Sequence, residues 1–311
     1  MVKREPGWEL YRSFLATVRE RSLSGAARAL GLTQPTLGRH IDELEQALGG
    51  IALFTRSQLG LVPTDAALAL VPHAEAMAAS AAALVRAASG AAGAASGSIR
   101  LTASEIVGGE VLPPILADFR EGNPGIAVEL VLSNATEDLL RREADIAVRM
   151  VRPKQTALVA RLIGHVTLGL HAHRRYIAAH GLPRNLDEIA RHAIIGFDRE
   201  TPSVRAVRAL GLPLDREMFG FRSDSDLAQL AALRAGFGIG VCQLGIARRD
   251  PDLVRVVPEA FSINLDVWVV MHKDLRASHR MRLMFDHLSA ALSAYVATSR
   301  EAPTKGPRAR R

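Results

Sequence analysis

The spacing of apolar residues changes twice along the chain, which points to three differently built regions. From residue 8 to about 65 they recur every three or four residues in short runs broken by Gly and Pro, the pattern of short amphipathic helices. Trp8, Leu10, Phe14, Leu15 and Val18 make the first apolar face. Ala26, Ala27 and Leu30 make a second, and Leu37, Ile41, Leu44 and Leu48 a third. Residues 53–56 and 61–64 then read as two short strands around a turn at 57–60.

Residues 66 to about 95 are rich in Ala and nearly free of charge. Leu70, Ala74, Met77, Ala81, Leu84 and Ala88 alternate at spacings of four and three, so they share one stripe of a long helix. Small residues on a stripe let two backbones come close, as at a helix-to-helix dimer seam. The same stripe also suits packing inside one subunit. The last part, residues 89–97, has a flexible linker's composition.

Beyond residue 97, β-rich apolar runs alternate with helical patterns, the signature of an α/β domain. A strand at 99–102, a helix at 112–120, a turn at 122–125, a strand at 126–132, a helix at 137–142 capped by Thr136, and a strand at 145–149 are expected. Pro113 and Pro114 fit only a first helical turn. This β-α-β-α-β order implies parallel strands with crossover helices. A second unit follows: strands at 194–197 and 218–221, a helix at 227–235 and a strand at 239–242; a strand at 266–271 and a helix at 281–295 close the chain. Two such units joined by a pair of crossings form a clamshell, with ligands expected beyond the strands' carboxyl ends. The loops 103–109, 133–136 and 149–153 are therefore the ones to watch in the first unit.

With 311 residues, 48% of them hydrophobic, the chain has material for two or three domains. A charged residue or His interrupts every apolar run before it reaches about 18 residues, so no spanning helix is expected. The opening Met1-Val2-Lys3-Arg4-Glu5-Pro6 does not read as a secretory signal. Cys242 is the single cysteine, which excludes an internal disulfide and suits a cytoplasmic protein. A net charge of +7 fits a polyanionic partner, although part of it lies in the basic tail 300–311, expected to be disordered.

The segment from Leu23 to Ile41 carries the chemistry that charge alone does not specify. Ala27 is small enough for a second helix to cross closely, and Gly31 supplies a sharp turn. Thr33 suits the N-cap of the next helix and Pro35 its first turn. With Leu37, Ile41, Leu44 and Leu48 facing inward, Gln34, Thr36, Arg39 and His40 face outward, where a recognition helix meets base edges. The two strands after it make a wing, with Arg56 placed for phosphate. A merely solvated face is the ordinary alternative.

At these residues the chain resembles the LysR-type transcriptional regulators. The match is carried by Ala26-Ala27, Leu30-Gly31-Leu32-Thr33-Gln34-Pro35, the run Ile41-Asp42-Glu43-Leu44-Glu45-Gln46-Ala47-Leu48-Gly49, Leu53-Phe54-x-Arg56 and Leu61-Val62-Pro63-Thr64. Farther on, Asn123-Pro124-Gly125, Ala144-Asp145-Ile146-Ala147 and Ala235-Gly236-Phe237-Gly238-Ile239-Gly240 match as well. The resemblance implies an N-terminal winged helix-turn-helix at 1–65, a dimerising linker helix at 66–96 and a two-lobed effector domain at 97–299, like periplasmic binding proteins. Lobe I would hold about 97–169 and 270–299, and lobe II about 170–269. It further implies homodimers or homotetramers, double-stranded DNA and a small-molecule effector as partners, and RNA polymerase as a further contact. Carried over residue by residue, Gln34, Pro35, Thr36 and Arg39 are expected at DNA, with Arg56 on its backbone, and His40 joins them from its place on the outward face. The chain departs from the pattern at three places. Gly38 stands where the family usually has Ser, Thr64-Asp65-Ala66-Ala67 replaces Thr-Glu-Ala-Gly, and residues 49–53 carry one residue more than usual.

The resemblance also places an effector pocket between the lobes. Ser104, Glu105 and Arg149 are the candidates in lobe I; Phe197, Asp198, Thr201, Ser223 and Asp224 are those in lobe II. Arg149 suggests an organic anion, for which a guanidinium is a natural partner, while Glu105 and Asp198 could equally select a cationic or hydroxylated compound. The ordinary readings are Ser104 as a helix-entry residue, Arg149 paired with Glu105, and Ser223 and Asp224 as caps.

Three other motifs lead nowhere. Gly236-Phe237-Gly238-Ile239-Gly240 follows a helix and enters a strand, the reverse of a dinucleotide loop. His165, His171 and His173 lack partners at metal-ligand spacing. No serine sits in a nucleophile elbow. Neither an enzyme, a metal site nor a cofactor is expected. A small-molecule binding protein without a transcriptional role is the alternative, disfavoured by the Gln34–Arg39 face.

Overall fold

The computed structural model describes residues 5–57, 60–88, 96–134, 144–153, 157–200, 204–205 and 216–299. The expected helix at 137–142 with its Thr136 cap, the Ala/Gly linker at 89–95, Thr201 and the basic tail lie outside these. The chain divides into two compact units, the first carried by Met1–Ala88 and the second by the chain that follows.

The first unit runs α1 (Trp8–Glu20), α2 (Leu23–Leu30), α3 (Gln34–Ala47), β1 (Phe54–Ser57), β2 (Gly60–Pro63) and α4 (Asp65–Ala88). Phe14, Leu44 and Leu53 are fully buried in its centre, and the Phe14 ring sits 5.8 Å from that of Phe54. Burial of each such side chain stabilises by roughly 1.5–3 kcal/mol. Ala26 and Ala27 pack with Leu37 in a smaller cluster, where α2 needs small residues to approach its neighbour. The strands β1 and β2 pair antiparallel, from Phe54 opposite Pro63 to Ser57 opposite Gly60. Each lies one residue from the position the pattern suggests.

The long stripe of α4 is split between two environments. Ala74 is buried, and Leu70, Val71 and Ala78 pack on the same core as Leu10 and Phe14. Met77 and Leu84 are exposed, Leu84 by 69%. Packing inside the unit thus takes the N-terminal part of the stripe.

The second unit is one sheet in the order β4-β3-β5-β11-β6-β9-β7-β8, with β10 on β6. Its strands are β3 (Gly97–Ala103), β4 (Ile126–Leu132), β5 (Ile146–Arg149), β6 (Leu158–His173), β7 (Ile194–Gly196), β8 (Phe219–Arg222), β9 (Ile239–Gln243), β10 (Leu253–Val256) and β11 (Ile263–His272). In lobe I, β4, β3 and β5 are parallel. In lobe II, β8, β7 and β9 are parallel. Two long antiparallel strands join the lobes: β6 pairs with β11 and continues onto β9, while β11 reaches back to β5.

Helices cover this sheet. They are α5 (Leu112–Gly122), α6 (Arg174–His180), α7 (Leu186–Ile189), α8 (Asp226–Arg234), α9 (Leu244–Ala247) and α10 (His279–Thr298). A π-helical turn, Val107–Val111, leads into α5, whose first turn holds Pro113 and Pro114 as expected. Ile99, Leu101, Phe119, Val269, Met284 and Phe285 belong to the main core. The apolar pattern of the sequence does not mark strands β6 and β10 or helices α6, α7 and α9. The run 158–173 mixes Arg161, Gly164, His165 and Gly169 with apolar residues and shows no clean alternation.

Candidate nucleic-acid interface and effector cleft

Each helix of the N-terminal pair is fixed by its own caps. Ser22 Oγ accepts the Gly25 N–H at 3.3 Å, and Gly31, with φ of 67°, closes α2 in the left-handed conformation open to glycine. Thr33 Oγ1 accepts the Thr36 N–H at 3.3 Å and lies 2.8 Å from Thr36 Oγ1. Ser24 Oγ donates to Gln34 Oε1 at 3.1 Å, tying the start of α2 to the start of α3.

On α3, Gln34, Pro35 and Arg39 are exposed and Thr36 is half-buried. The Arg39 guanidinium lies 3.6 Å from the Glu43 carboxylate one turn on. His40 departs from the outward placement expected of it. It is half-buried, and its Nδ1 shares a 2.8 Å hydrogen bond with Ser13 Oγ of α1, so its ring braces α3 against α1. The structure leaves open space around Gly38, where a Cβ would meet nothing within 4 Å.

The wing is held at both ends. Gly49 and Gly50 take φ of 93° and 82° and absorb the additional residue before β1. Glu45 Oε1 accepts the Leu53 N–H at 2.6 Å, an anchor the sequence pattern does not reveal. At the other end the Leu61 N–H donates to the Arg21 carbonyl at 2.9 Å. Arg56 is exposed on β1, opposite Leu61.

In the second unit, Ser104, Arg149, Phe197 and Ser223 lie at or just past the ends of β3, β5, β7 and β8. Glu105 is engaged twice: its N–H donates to Asn134 Oδ1 at 3.1 Å, and its carboxylate accepts the Ser225 hydroxyl at 2.7 Å. Asn134 Nδ2 in turn donates to Asp226 Oδ2 at 3.0 Å. Lobe I thereby meets the first turn of α8. Burial raises the Asp226 carboxyl above the usual range, the Glu105 charge adds to that, and the Asn134 bond opposes it.

The remaining candidates make their own contacts. Ser104 is half-buried just past β3. Arg149 ends β5 with 7% exposure, and its guanidinium donates to the Ser133 carbonyl at 3.1 Å and to Thr102 Oγ1 at 3.0 Å. Phe197 is half-buried one residue past β7, which stops at Gly196. Asp198 Oδ1 accepts from Arg216 at 2.5 Å. Asp224 Oδ1 accepts the N–H groups of Asp198 and Arg199 at 3.1 and 2.9 Å, which holds the loop after β7 against the approach to α8. Ser223 and Asp224 do not cap that helix. Ser225 does, accepting the Ala228 N–H at 3.4 Å, while Ser223 Oγ accepts the Ser225 N–H. Glu105 is thus brought next to the Ser223-Asp224 segment, and Asn134, Ser225 and Asp226 join the set.

A three-helix unit with a wing, followed by two parallel-stranded lobes on a pair of crossing strands, defines a DNA-binding regulator with a ligand-sensing domain. Residues 8–68 match the bacterial regulatory helix-turn-helix protein family of LysR type, and residues 92–293 match the LysR substrate binding domain. The chain belongs to the LysR family and is a LysR-type DNA-binding transcriptional regulator.

Among its relatives, an HTH-type transcriptional regulator of Xanthomonas campestris pv. campestris (strain 8004) is 31% identical over 185 residues, covering 59% of this chain and 53% of that protein. The match to that relative thus spans about half of its length. The regulator CbbR of Sinorhizobium medicae (strain WSM419) is 28% identical over 251 residues, 79% of this chain and 80% of its own. The fold is that of full-length CbnR solved in complex with its target DNA, with a TM-score of 0.61 over 94% of this chain and 100% of that one at 19% identity.

Among the described residues no helix is long and apolar enough to cross a membrane, and no group of three or more His, Cys, Asp or Glu could hold a metal ion.

Proposed function

We propose that α3 reads base edges in the major groove of an operator through Gln34, Pro35, Thr36 and Arg39, with Arg56 of the wing on the phosphate backbone. The observation that carries this reading is the exposed Arg39 on the leading half of a helix fixed by the Thr33 cap. A guanidinium there matches the two acceptors of guanine. His40 acts through Ser13, as the brace that sets the angle of α3. Arg39→Ala weakens specific operator binding by about 1–3 kcal/mol and relaxes specificity at one base pair. An unchanged affinity in a gel-shift titration overturns the assignment.

In the second unit, the reading is a small organic anion held between the lobes, with Ser104, Glu105 and Arg149 on one side and Phe197, Asp198, Thr201, Ser223 and Asp224 on the other. Its support is the Ser225–Glu105 hydrogen bond, which brings the end of β3 next to the segment after β8, at strand carboxyl ends, where open α/β sheets bind ligands. Closure around the ligand would shift how paired DNA-binding units sit on DNA. Retained effector binding by Arg149→Ala, followed by calorimetry, rejects an anionic effector. Assembly as homodimers or homotetramers, contact with RNA polymerase, a cytoplasmic site of action and the lack of catalysis belong to the same reading, since each follows from work at a bacterial promoter.

A further inference from the structure

Arg21 stands in the turn between α1 and α2 with φ of 49° and ψ of 25°, the left-handed conformation. Glycine enters that region without steric cost, whereas a side chain at this position crowds its own backbone. The backbone work done here does not need arginine. The Arg21 N–H closes α1 on the Thr17 carbonyl at 2.9 Å, and the Arg21 carbonyl accepts the Leu61 N–H at 2.9 Å. Glycine would supply the same two groups. What arginine adds is an exposed guanidinium, and among the described residues no carboxylate pairs with it. Arg19 and Arg39, by contrast, lie beside Glu75 and Glu43.

The place of Arg21 in the fold follows from its neighbours. On one side Leu61, bonded to the Arg21 carbonyl, is the strand partner of Arg56. On the other side, three residues along the chain, Ser24 is bonded to Gln34 at the start of α3. Arg21 therefore bonds the wing directly through its carbonyl and stands three residues before Ser24, the link to the leading end of the recognition helix. Non-glycine residues that the surrounding structure holds in the left-handed region cluster at functional sites.

We propose that Arg21 contacts a DNA phosphate flanking the bases read by α3. This rests on the reading of α3 as the groove-facing helix. Contacts of this kind set register on the duplex and carry no sequence information.

The test uses the full chain and a mixed-sequence duplex, titrated by fluorescence anisotropy at several salt concentrations between about 50 and 200 mM. For Arg21→Gly the proposal expects a several-fold loss of affinity and a slope of log K against log salt shallower by about 0.9 for each phosphate released. The melting temperature stays the same or rises, because glycine suits the turn. Arg21→Lys keeps the slope. A slope for Arg21→Gly equal to that of the unaltered chain overturns the proposal, as does a drop in melting temperature shared by both variants, which would mark a structural role. If the unaltered chain itself shows no salt-dependent binding, the DNA-facing reading of α3 falls and Arg21 falls with it.

Discussion

Glu110 of lobe I and Arg234 of lobe II meet in parallel, Arg234 NH1 on Glu110 Oε1 at 2.7 Å and NH2 on Oε2 at 2.8 Å. The fork geometry is the strong form of a charged hydrogen bond. Arg249 donates to the Glu110 carbonyl at 2.9 Å, and Asp250 lies 3.5 Å from Arg234 Nε, so the pair is part of a small network. Beside it, a Cβ on Gly109 would stand 2.7 Å from Leu227 Cδ2, which shows how closely the π-helical turn and α8 approach.

Removal of this pair loosens the lobes. The Arg234 hydrogen bonds hold the Glu110 carboxyl below its usual range. A depressed carboxylate stabilises the fold above its unfolded value, about 4.3, and that contribution disappears as pH falls through the folded value. Both side chains are partly exposed, so solvent screening limits the effect to about 1 kcal/mol, or 2–4 °C in melting temperature for a domain of this size. Glu110→Gln should show this loss at pH 7 and match the unaltered protein at pH 3 in calorimetry. Equal melting temperatures at pH 7 would refute the prediction.

His171 on β6 titrates with the same sign at a higher pH. Burial lowers its pKa to about 4, against a hydrogen bond with the Gly169 carbonyl and in company with the Arg255 charge. Between about 6.5 and 4 the unfolded chain binds a proton there and the folded one does not, so stability falls with pH across that window, by about 3 kcal/mol at its foot. His171→Gln should flatten this part of the stability profile. Denaturant midpoints taken from pH 7 to 4 measure it, and an unchanged slope counts against the argument.

The Cys242 thiol should be unreactive in the folded protein. Burial pushes it up to about 12, despite the opposing charge of Arg234. At pH 8 the thiolate needed for attack is scarce and enclosed. Iodoacetamide should leave the native protein unmodified over hours and alkylate it fully in urea. Rapid labelling of the native chain would show the expectation to be wrong.

Gly60 lets the wing lie against the α1–α2 turn. Its φ is 97°, and a Cβ there would stand 2.6 Å from the Arg21 carbonyl oxygen. Gly60→Ala should cost about 1–2 kcal/mol and break the Leu61 bond to Arg21. Hydrogen exchange at the Leu61 amide reports it directly. Protection equal to that of the unaltered chain would contradict the mechanism.

What could be read in advance follows the range of the interaction. Thr33, Gly31 and the Leu37–Leu44 face signal α2 and α3 through contacts within one or two turns, and the structure places them there. The β3-α5-β4 order was legible for the same reason, since Pro113, Pro114 and the turn at 123–125 mark their own boundaries. The cap of α8 is not legible in the sequence because Ser223, Asp224 and Ser225 are all capable caps. Only the placement of β7 and β8, which draws Ser223 toward Gly196, decides among them.

The amino-acid order alone determined the family, the three-helix reader and the alternation of strands and helices behind it. These depend on periodicity and on caps, which neighbours in sequence supply. Tertiary structure decided the rest: that β6 and β11 carry the crossing, that His40 turns to Ser13, that Arg149 donates to Ser133 and Thr102, and that Arg21 stands left-handed beneath the wing. Each of these joins residues far apart along the chain, and such a choice is made only when the whole core closes and unpaired polar groups must find partners.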